Sequence, residues 1–352
     1  MMSDVRTFVM GDPQAPFAKV KELLEQHGAL DAKRDRLADD VVLVSIGDHF
    51  DYDHRDPATA SREGLAILRW LASHDPAQVV LLFGNHDAAR VMELATISDD
   101  EFAAAREASH RLTAHDFALA YPALPAAGVV GRDYASFTSE QRALVMELLL
   151  AGRFHLAFTG ELLDGRTALI THAGVTAREL SLLGVAADPS QIAHALEAHL
   201  AAAVERVATD WERGALAPLS LAPLHHAGPP GEEGGGLLYH RPSNPASGST
   251  FHTDRPRRFD PRTLPPITQI AGHSGHAKCV QELGDWCAPG AHSRKHGGIR
   301  TLTVCDGDVC YDMGVAPPRA GAAELILIDG ELRRLPAFDV ALLEIGGVAV
   351  LA

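Results

Sequence analysis

The chain has 352 residues, 46% of them hydrophobic, which is enough for one large globular domain or two smaller ones. Its 31 Lys and Arg against 46 Asp and Glu give a formal net charge of −15, which argues against a broad surface for nucleic acid or anionic membrane. No run reaches the ~20 apolar residues that span a bilayer, and the first residues lack the apolar stretch of a signal peptide. We therefore expect a cytoplasmic globular protein.

Five short apolar runs predict buried strands. They cover 7–10, 41–46, 79–83, 168–170 and 267–271, are too short for helices and are mostly rich in Val, Ile or Leu. The first three alternate with segments of helical spacing, such as the one formed by Phe17, Val20, Leu23 and Leu24. This alternation predicts βαβ units and a partly parallel sheet, that is, an α/β fold.

The rest of the chain suggests additions to this core. Residues 88–134 look helical and then irregular, so we predict a cap beside the site, and a long amphipathic helix runs from Ile192 to Trp211. Residues 214–266 are rich in Pro and Gly and predict a long loop insertion. Four strand-like runs close the chain, at 300–304, 309–312, 324–328 and 341–345, and we expect them at a sheet edge. We treat 1–352 as a single domain.

Each of the five predicted strands stops at residues able to bind a metal. The stopping points are Gly11-Asp12, Gly47-Asp48-His49-Phe50-Asp51, Gly84-Asn85-His86-Asp87, Thr171-His172-Ala173-Gly174 and Gly272-His273-Ser274-Gly275-His276. Ligand sites in open α/β sheets gather beyond the carboxyl ends of strands. Taken alone, Asp12 is better explained as a helix cap, but capping gives no reason for Asp, Asn and His to follow strands in this order.

These residue types suit hydrolysis of a phosphate ester. Two divalent ions about 3.5 to 4 Å apart lower the pKa of a bound water and neutralise charge on the phosphate. The expected ligands are Asp48 as the bridging carboxylate, Asp12 on one ion, and Asn85, His172 and His273 on the other. His86 is then the candidate acid for the leaving oxygen, with Asp51 holding its ring in the required tautomer.

The order of motifs resembles that of the calcineurin-like metallophosphoesterases, which runs Asp-x-His, Gly-Asp-x-x-Asp, Gly-Asn-His-Asp/Glu, His and Gly-His. The segments Thr171-His172-Ala173-Gly174-Val175 and Gly272-His273-Ser274 are similar in particular to the phosphoprotein-phosphatase branch, which includes bacterial protein phosphatases and diadenosine tetraphosphatase. The resemblance implies an αββα sandwich of two mixed sheets with a dinuclear centre of manganese, iron or zinc. Its expected action is hydrolysis of a phosphomonoester or phosphoanhydride by metal-bound hydroxide.

Two departures from the family pattern concern metal binding and phosphate binding. Gln14 stands where the first motif ends in His, so the first ion should bind loosely or be a harder ion such as manganese or magnesium. His276 can compensate as a ligand, or it is an ordinary loop histidine. Tyr52 replaces the Arg that follows the second Asp in the phosphoprotein-phosphatase branch, and we take Arg241 as the phosphate-binding residue, because the segment that it ends resembles a glycine-aromatic-arginine segment of that branch. Arg55 and Arg90 are alternatives to Arg241.

Other interpretations remain open at this stage. Gln14 and Tyr52 also suit a non-catalytic metal-binding or regulatory module, and a dinucleoside polyphosphate hydrolase is a second alternative. The expected partner is a phosphorylated protein, small molecule or nucleotide, with two divalent ions, foremost Mn²⁺, as cofactors. Cys279 and Cys287 with His292 and His296 offer a zinc site, but seven residues between the two cysteines is wider than common zinc spacings, and buried inert thiols are favoured.

Overall fold

The computed structural model describes residues 5–229, 231–248, 250–292, 298–317 and 319–349. Within these residues the two largest sheets have five and seven strands. Their strands are β1 (Arg6–Met10), β2 (Val41–Ser45), β3 (Val79–Leu82), β4 (Phe154–His155), β5 (Ala157–Glu161), β6 (Thr167–Thr171), β7 (Thr268–Ala271), β8 (Arg300–Cys305), β9 (Asp308–Met313), β10 (Ala323–Leu327), β11 (Leu343–Ile345) and β12 (Gly347–Ala349). The helices are α1 (Phe17–Gln26), α2 (Pro57–Ala72), α3 (Asn85–Ala89), α4 (Asp99–Ser109), α5 (Ala114–Ala120), α6 (Ser139–Leu150), α7 (Ala177–Leu183), α8 (Pro189–Glu212), α9 (His276–Leu283) and α10 (Pro289–His292).

The first sheet has the strand order β11-β1-β2-β3-β4 and is parallel except for its edge strand β11. Helix α1 follows β1 and buries Val20, Leu23 and Leu24. Helix α2 follows β2 and begins where the Asp56 carboxylate accepts a hydrogen bond from the Thr59 N–H. This βαβ arrangement brings the carboxyl ends of β1, β2 and β3 to one edge of the sheet.

The second sheet has the order β9-β8-β10-β7-β6-β5-β12, with β10, β7 and β6 parallel at its centre. The expectation that residues 300–304 and 324–328 lie at a sheet edge is wrong. Strand β8 pairs with β9 and β10, and β10 pairs with β8 and β7. All five residues of β10 are buried. Its only charged residue, Glu324, is ion-paired with Arg166, and the other four residues are apolar, as suits an interior strand.

The two sheets pack face to face. A buried cluster between them takes one face of each sheet and includes Val9, Val44, Val80, Phe158, Ile170, Ile270, Ile326 and Ile345. Helices α1, α2, α6 and α8 bury their apolar residues in a larger cluster, which also holds Phe8, Met10 and Leu43 from the outer face of the first sheet. The predicted αββα sandwich of two mixed sheets is confirmed.

Two segments are added to the sandwich. Residues 99–137 form α4, α5 and a π-helix at Val129–Asp133 around their own apolar cluster, which includes Phe102 and Phe137. Residues 214–266 form two short strand pairs, His225–His226 with Gly235–Gly236 and Arg241–Pro242 with Arg258–Phe259. The cap predicted at 88–134 and the loop insertion predicted at 214–266, within one domain, stay predictions. In the described part of the chain, no helix combines the length and the apolar character needed to cross a membrane.

Candidate metal centre

Three side chains from different strand ends meet at the edge of the sandwich. Potential ligand atoms of Asp48, His172 and His273 all lie within 4.8 Å of one another, and all three residues are buried. Asp48 follows β2 of the first sheet, whereas the two histidines follow β6 and β7 of the second. The site is therefore built by both sheets together, at the carboxyl ends of their strands.

The backbone at these strand ends is tightly constrained. Asp48 and His273 both have φ of +59°, and Gly47 has φ of +100°. A Cβ at Gly84 would overlap the Asp48 carboxylate, and a Cβ at Gly47 would lie 2.6 Å from the Gly84 nitrogen. The Gly-Asp and Gly-Asn dipeptides are thus required for the close approach of the two loops.

Hydrogen bonds fix the orientation of His172. Its Nδ1 lies 2.8 Å from the Ile46 carbonyl oxygen, to which it donates, so the neutral ring carries its lone pair at Nε2. This Nε2 lies 3.1 Å from Asn85 Oδ1 and 3.5 Å from Asp48 Oδ1. The three acceptor atoms face one another, an arrangement that a cation between them would stabilise.

His273 supplies a further free ligand atom. Its Nε2 is buried without a hydrogen-bond partner, which is a costly state for a polar atom. Burial, together with the positive charge of Arg241, holds the pKa of His273 well below its usual range, so the ring is neutral. Carboxylate, amide and neutral imidazole ligands around an unsatisfied nitrogen fit a divalent cation.

Asp12 and Gln14 line the same cleft as Asp48. Asp12 is buried, and its Oδ1 accepts a hydrogen bond of 3.0 Å from the His273 backbone N–H. Burial, with the nearby charges of Asp329 and then Asp48, raises the pKa of Asp12 well above its ordinary value. The Gln14 amide donates to the Phe50 carbonyl at 2.9 Å, so its carbonyl oxygen is the atom left for a metal.

His86 and Asp51 form an ordered pair beside these ligands. The two groups are joined by a hydrogen bond of 2.9 Å between His86 Nδ1 and Asp51 Oδ2. His86 Nε2 lies 3.9 Å from Asp48 Oδ2, and the side chain keeps 15% exposure toward the cleft. Burial opposes a charged His86 ring, but the negative charges of Asp48 and Asp51 raise its pKa.

Asp51 is held from three directions. The backbone N–H and hydroxyl of Ser136 donate to Oδ1 at 2.9 and 2.6 Å, and Arg90 lies 2.7 Å from Oδ2. Burial alone would raise the pKa of Asp51, but Arg90 and His86 hold it well below its usual range. Arg90 is itself fully buried and stacks over Phe50 at 4.7 Å. Arg90 therefore supports the pair formed by His86 and Asp51. It does not take the phosphate-binding role for which it was an alternative to Arg241.

Asp87 joins the loops that carry Asp48 and Asn85. Its carboxylate accepts from the backbone N–H of Asp48 and of Gly84 at 2.9 and 3.0 Å. It also lies 3.1 Å from His49 Nδ1, and both side chains are completely buried. Asp87 and His49 are thus structural supports, a role that needs the three-dimensional structure to recognise.

The structure does not bring His276 into the ligand cluster. Its Nδ1 lies 2.8 Å from the Tyr311 hydroxyl and its Nε2 lies 3.1 Å from the Ala291 carbonyl oxygen. The ring is fully buried and stacked with Tyr311. Because both nitrogens are engaged, the expectation that His276 completes the first metal site is not supported.

A cleft of about 1010 Å³ opens onto the site. Among the described residues lining it, nine are Lys or Arg: Lys19, Arg55, Arg132, Arg241, Arg257, Arg258, Lys278, Arg333 and Arg334. Arg241 is close enough to lower the pKa of both Asp12 and His273. The cleft therefore combines a metal-ligand cluster with cations that suit a phosphorylated substrate.

Two tyrosines that sequence reasoning missed cover the site. Tyr134 comes from the segment after the π-helix and Tyr239 from the 214–266 segment, and their hydroxyls are hydrogen bonded to each other. The Tyr134 ring packs edge-on to His86 at 5.7 Å, and Tyr239 packs edge-on to His273 at 5.9 Å. The pair thus connects the two added segments above the candidate acid and a candidate ligand.

The alternative zinc site does not assemble within the described residues. Cys279 and Cys287 are buried free thiols, and burial raises the pKa of each to about 11. His296 lies outside the described residues. The group with metal-ligand geometry found in the described part of the chain contains neither cysteine.

The fold and the strand-end ligands define a hydrolase of the metallophosphoesterase class. The family model of calcineurin-like phosphoesterases matches residues 5–160 of this chain. The comparison with curated proteins gives no match. Among solved structures, a protein serine/threonine phosphatase from Saccharomyces cerevisiae, described as similar to human phosphatase PP5, aligns with 14% identity over 90% of this chain and 82% of that one, with a TM-score of 0.34.

Proposed function

We propose that the protein is a dinuclear metal-dependent phosphatase that hydrolyses a phosphomonoester or phosphoanhydride. The observation that carries this proposal is the convergence of Asp48, His172 and His273, with one buried imidazole nitrogen unsatisfied. Asp12, Gln14 and Asn85 extend the ligand set on either side of Asp48. Two divalent ions held there supply a water of lowered pKa and positive charge for the phosphate, and we expect manganese.

The chain's own residues then assist the departure of the leaving group. Asp51 holds the His86 Nδ1 proton, which leaves Nε2 directed away from Asp51 as the atom that hands a proton to the leaving oxygen. The raised pKa of His86 favours the protonated ring that this role needs. Arg241 is the side chain that we assign to the phosphate oxygens, since a guanidinium can bind two of them.

A colorimetric assay with p-nitrophenyl phosphate tests the proposal. We expect turnover with manganese that is abolished by chelation and restored by adding the metal back. The assay should be repeated with iron, zinc and magnesium between about pH 5 and 9, where a histidine acid would act. Absence of turnover under every condition, from protein that carries two ions, would support the non-catalytic alternative instead.

The cleft supports a proposal for the substrate class. Among the residues that the structure describes, nine Lys or Arg side chains line it beside eight Asp or Glu, and Arg241 lies near the metal-ligand cluster. We expect these cations to bind a phosphorylated ligand, either a phosphopeptide, as in the phosphoprotein-phosphatase branch, or a dinucleoside polyphosphate. Product analysis with a phosphopeptide and with diadenosine tetraphosphate separates the two. Release of inorganic phosphate from the peptide supports the first, whereas cleavage of the nucleotide alone supports the second. The cytoplasm remains the expected compartment.

A further inference from the structure

A sixth strand ends at the same edge of the sandwich. Strand β10 is followed by Ile328 and Asp329-Gly330, which repeats the pattern of an apolar run that stops at an acidic residue. Since β10 is parallel to β7, with Leu327 opposite Ala271, its carboxyl end lies beside Gly272-His273. Asp329 therefore comes from the strand next to the one that delivers His273.

Close backbone contacts place Asp329 next to Asp12. A Cβ at Gly11 would overlap the Ile328 carbonyl and lie 3.0 Å from the Asp329 Cα, so only glycine allows this approach. Asp12, Gln14, Asp48 and Asp329 line the same cleft. The segment before Asp12 and the segment that carries Asp329 thus run against each other.

The position of the Asp329 carboxylate is fixed by its surroundings. Its Oδ1 accepts a hydrogen bond of 2.9 Å from the Glu331 backbone N–H. The buried guanidinium of Arg300 donates to the Asp329 carbonyl at 2.8 Å and to the Ser274 carbonyl at 3.0 Å, which ties the two loops together. A Cβ at Gly275 would lie 3.3 Å from Asp329 Oδ2, so this oxygen is held next to the loop that follows His273.

Two further carboxylates lie near Asp12, with Arg241 as a nearby cation. The carboxylates of Asp329 and Asp48 are both close enough to Asp12 to repel its charge. The Asp12 carboxylate also accepts from the backbone N–H of His273, whose Nε2 is buried and unsatisfied. Carboxylates that repel one another at close range are stabilised when a divalent cation binds among them.

We propose that Asp329 is a ligand of the first metal ion, together with Asp12, Gln14 and Asp48. It supplies the donor that the sequence lacks at Gln14 and that His276 does not provide. The resulting set consists of oxygen atoms only, which favours manganese or magnesium over zinc on this side. The inference rests on the proposed dinuclear centre, but it concerns metal binding and not turnover.

Manganese titration of the purified full-length chain tests the role of Asp329. We expect the unmodified protein to bind two Mn²⁺ ions in calorimetry and in electron paramagnetic resonance of the free ion. Asp329→Asn should keep one tight ion and weaken the other by at least about 10-fold. Glu331→Gln is the matched control, since it removes one negative charge from the same cleft and should leave both ions bound.

Two further measurements keep the result interpretable. In chelator, Asp329→Asn should unfold at the same or a higher temperature than the unmodified protein, because it removes repulsion, while its gain in unfolding temperature with manganese should be smaller. If the Asn variant does not fold, Asp329→Ser takes its place in the same titration. Two ions bound with unchanged affinity in a folded Asp329 variant, or equal weakening in Glu331→Gln, would overturn the inference.

The outcomes also separate this inference from the proposed function. If the unmodified protein binds two ions, Asp329→Asn binds one tightly, and p-nitrophenyl phosphate is not hydrolysed, the ligand role stands and the phosphatase proposal fails. If the unmodified protein hydrolyses phosphate but Asp329→Asn still binds both ions tightly, the phosphatase proposal stands and the ligand role fails.

Discussion

The two sides of the candidate metal centre differ in chemistry. On one side, His172, His273 and Asn85 offer imidazole nitrogens and an amide oxygen close to Asp48. On the other, Asp12, Gln14 and Asp329 offer oxygen atoms only. Imidazole accepts a wide range of transition metals, whereas a set of carboxylates prefers hard ions. For the proposed dinuclear centre we therefore expect one site of general affinity and one more selective site.

Loss of the residue shared by both sides should have the largest effect. Asp48→Asn keeps the shape of the side chain, and Asn tolerates the positive φ of this position, but the bridging charge is gone. We expect turnover of p-nitrophenyl phosphate to fall by more than about 100-fold and both ions to bind weakly, as measured by metal analysis after dialysis. Two ions retained at full strength in Asp48→Asn would mean that the sides are not joined through this carboxylate.

Replacement of the candidate acid His86 should reduce turnover without changing metal binding on either side of the centre. His86→Ala removes the proton donor, so kcat should fall by about 10² to 10⁴-fold while the bound metal stays at the level of the unmodified protein. The measurement is kcat at saturating substrate with parallel metal analysis. Unchanged kcat in His86→Ala would remove His86 from the mechanism.

The pH profile sharpens this assignment. The folded-state pKa of His86 is raised, so the protonated ring persists to a higher pH than a free histidine, and activity should decline as pH rises through that value. In Asp51→Asn, one cause of the raised pKa is lost, and the decline in kcat should move to lower pH. An unchanged pH profile of kcat in Asp51→Asn would show that Asp51 does not act through His86.

Asp51 and His86 contribute to stability with opposite pH dependences. The pKa of Asp51 is depressed on folding, so its contribution is present above about 3.9, the usual value of a free Asp, and is lost as pH falls through the folded value. His86 contributes below about 6.5, and its contribution is lost as pH rises through its raised value. Thermal unfolding in chelator should therefore show Asp51→Asn losing stability relative to the unmodified protein chiefly near neutral pH.

Substrate binding should respond to Arg241 more moderately. Arg241→Ala removes a charged hydrogen-bond donor, so we expect KM to rise by about 10-fold. The number of bound ions should stay close to that of the unmodified protein. Arg55→Ala, which removes an exposed cation from the same cleft, is the matched control. Equal effects of the two substitutions on KM would point to a general field of positive charge and not to a specific phosphate contact.

The smallest effect is expected for the tyrosine pair. Tyr134→Phe and Tyr239→Phe each keep the ring contact with a histidine but lose the hydroxyl hydrogen bond, which should lower the free energy of unfolding by about 1 kcal/mol. Because both changes break the same bond, the double variant should lose less than the sum of the two single losses. Additive losses in denaturant unfolding would show that the bond does not contribute to stability.

Much of the first-sheet half of the site follows from local sequence. Asp12, Asp48 and Asn85 each come directly after a short apolar run, and the rule that ligands gather at strand ends is sufficient to group them. His86 and Asp51 also follow from the motif order. The structure adds the hydrogen bonds between them, which depend on the left-handed backbone at Asp51.

The parts that sequence reasoning missed depend on contacts between distant segments. Asp329 follows an apolar run, as the other candidate ligands do. It was not recognised because that run was assigned to a sheet edge. His276 stands close to a ligand position in sequence, yet the fold turns it toward Tyr311. No local signal identifies Tyr134 and Tyr239 as partners, because 105 residues separate them.

The tyrosine bridge ties the evolution of the two added segments together. A change in residues 99–137 that shifts Tyr134 also disturbs Tyr239, and through it the ring of His273. We therefore expect that exchanging one of these segments alone alters metal affinity as well as substrate preference. Chimeras between related chains should transfer both segments as a single block if the catalytic core is to stay intact.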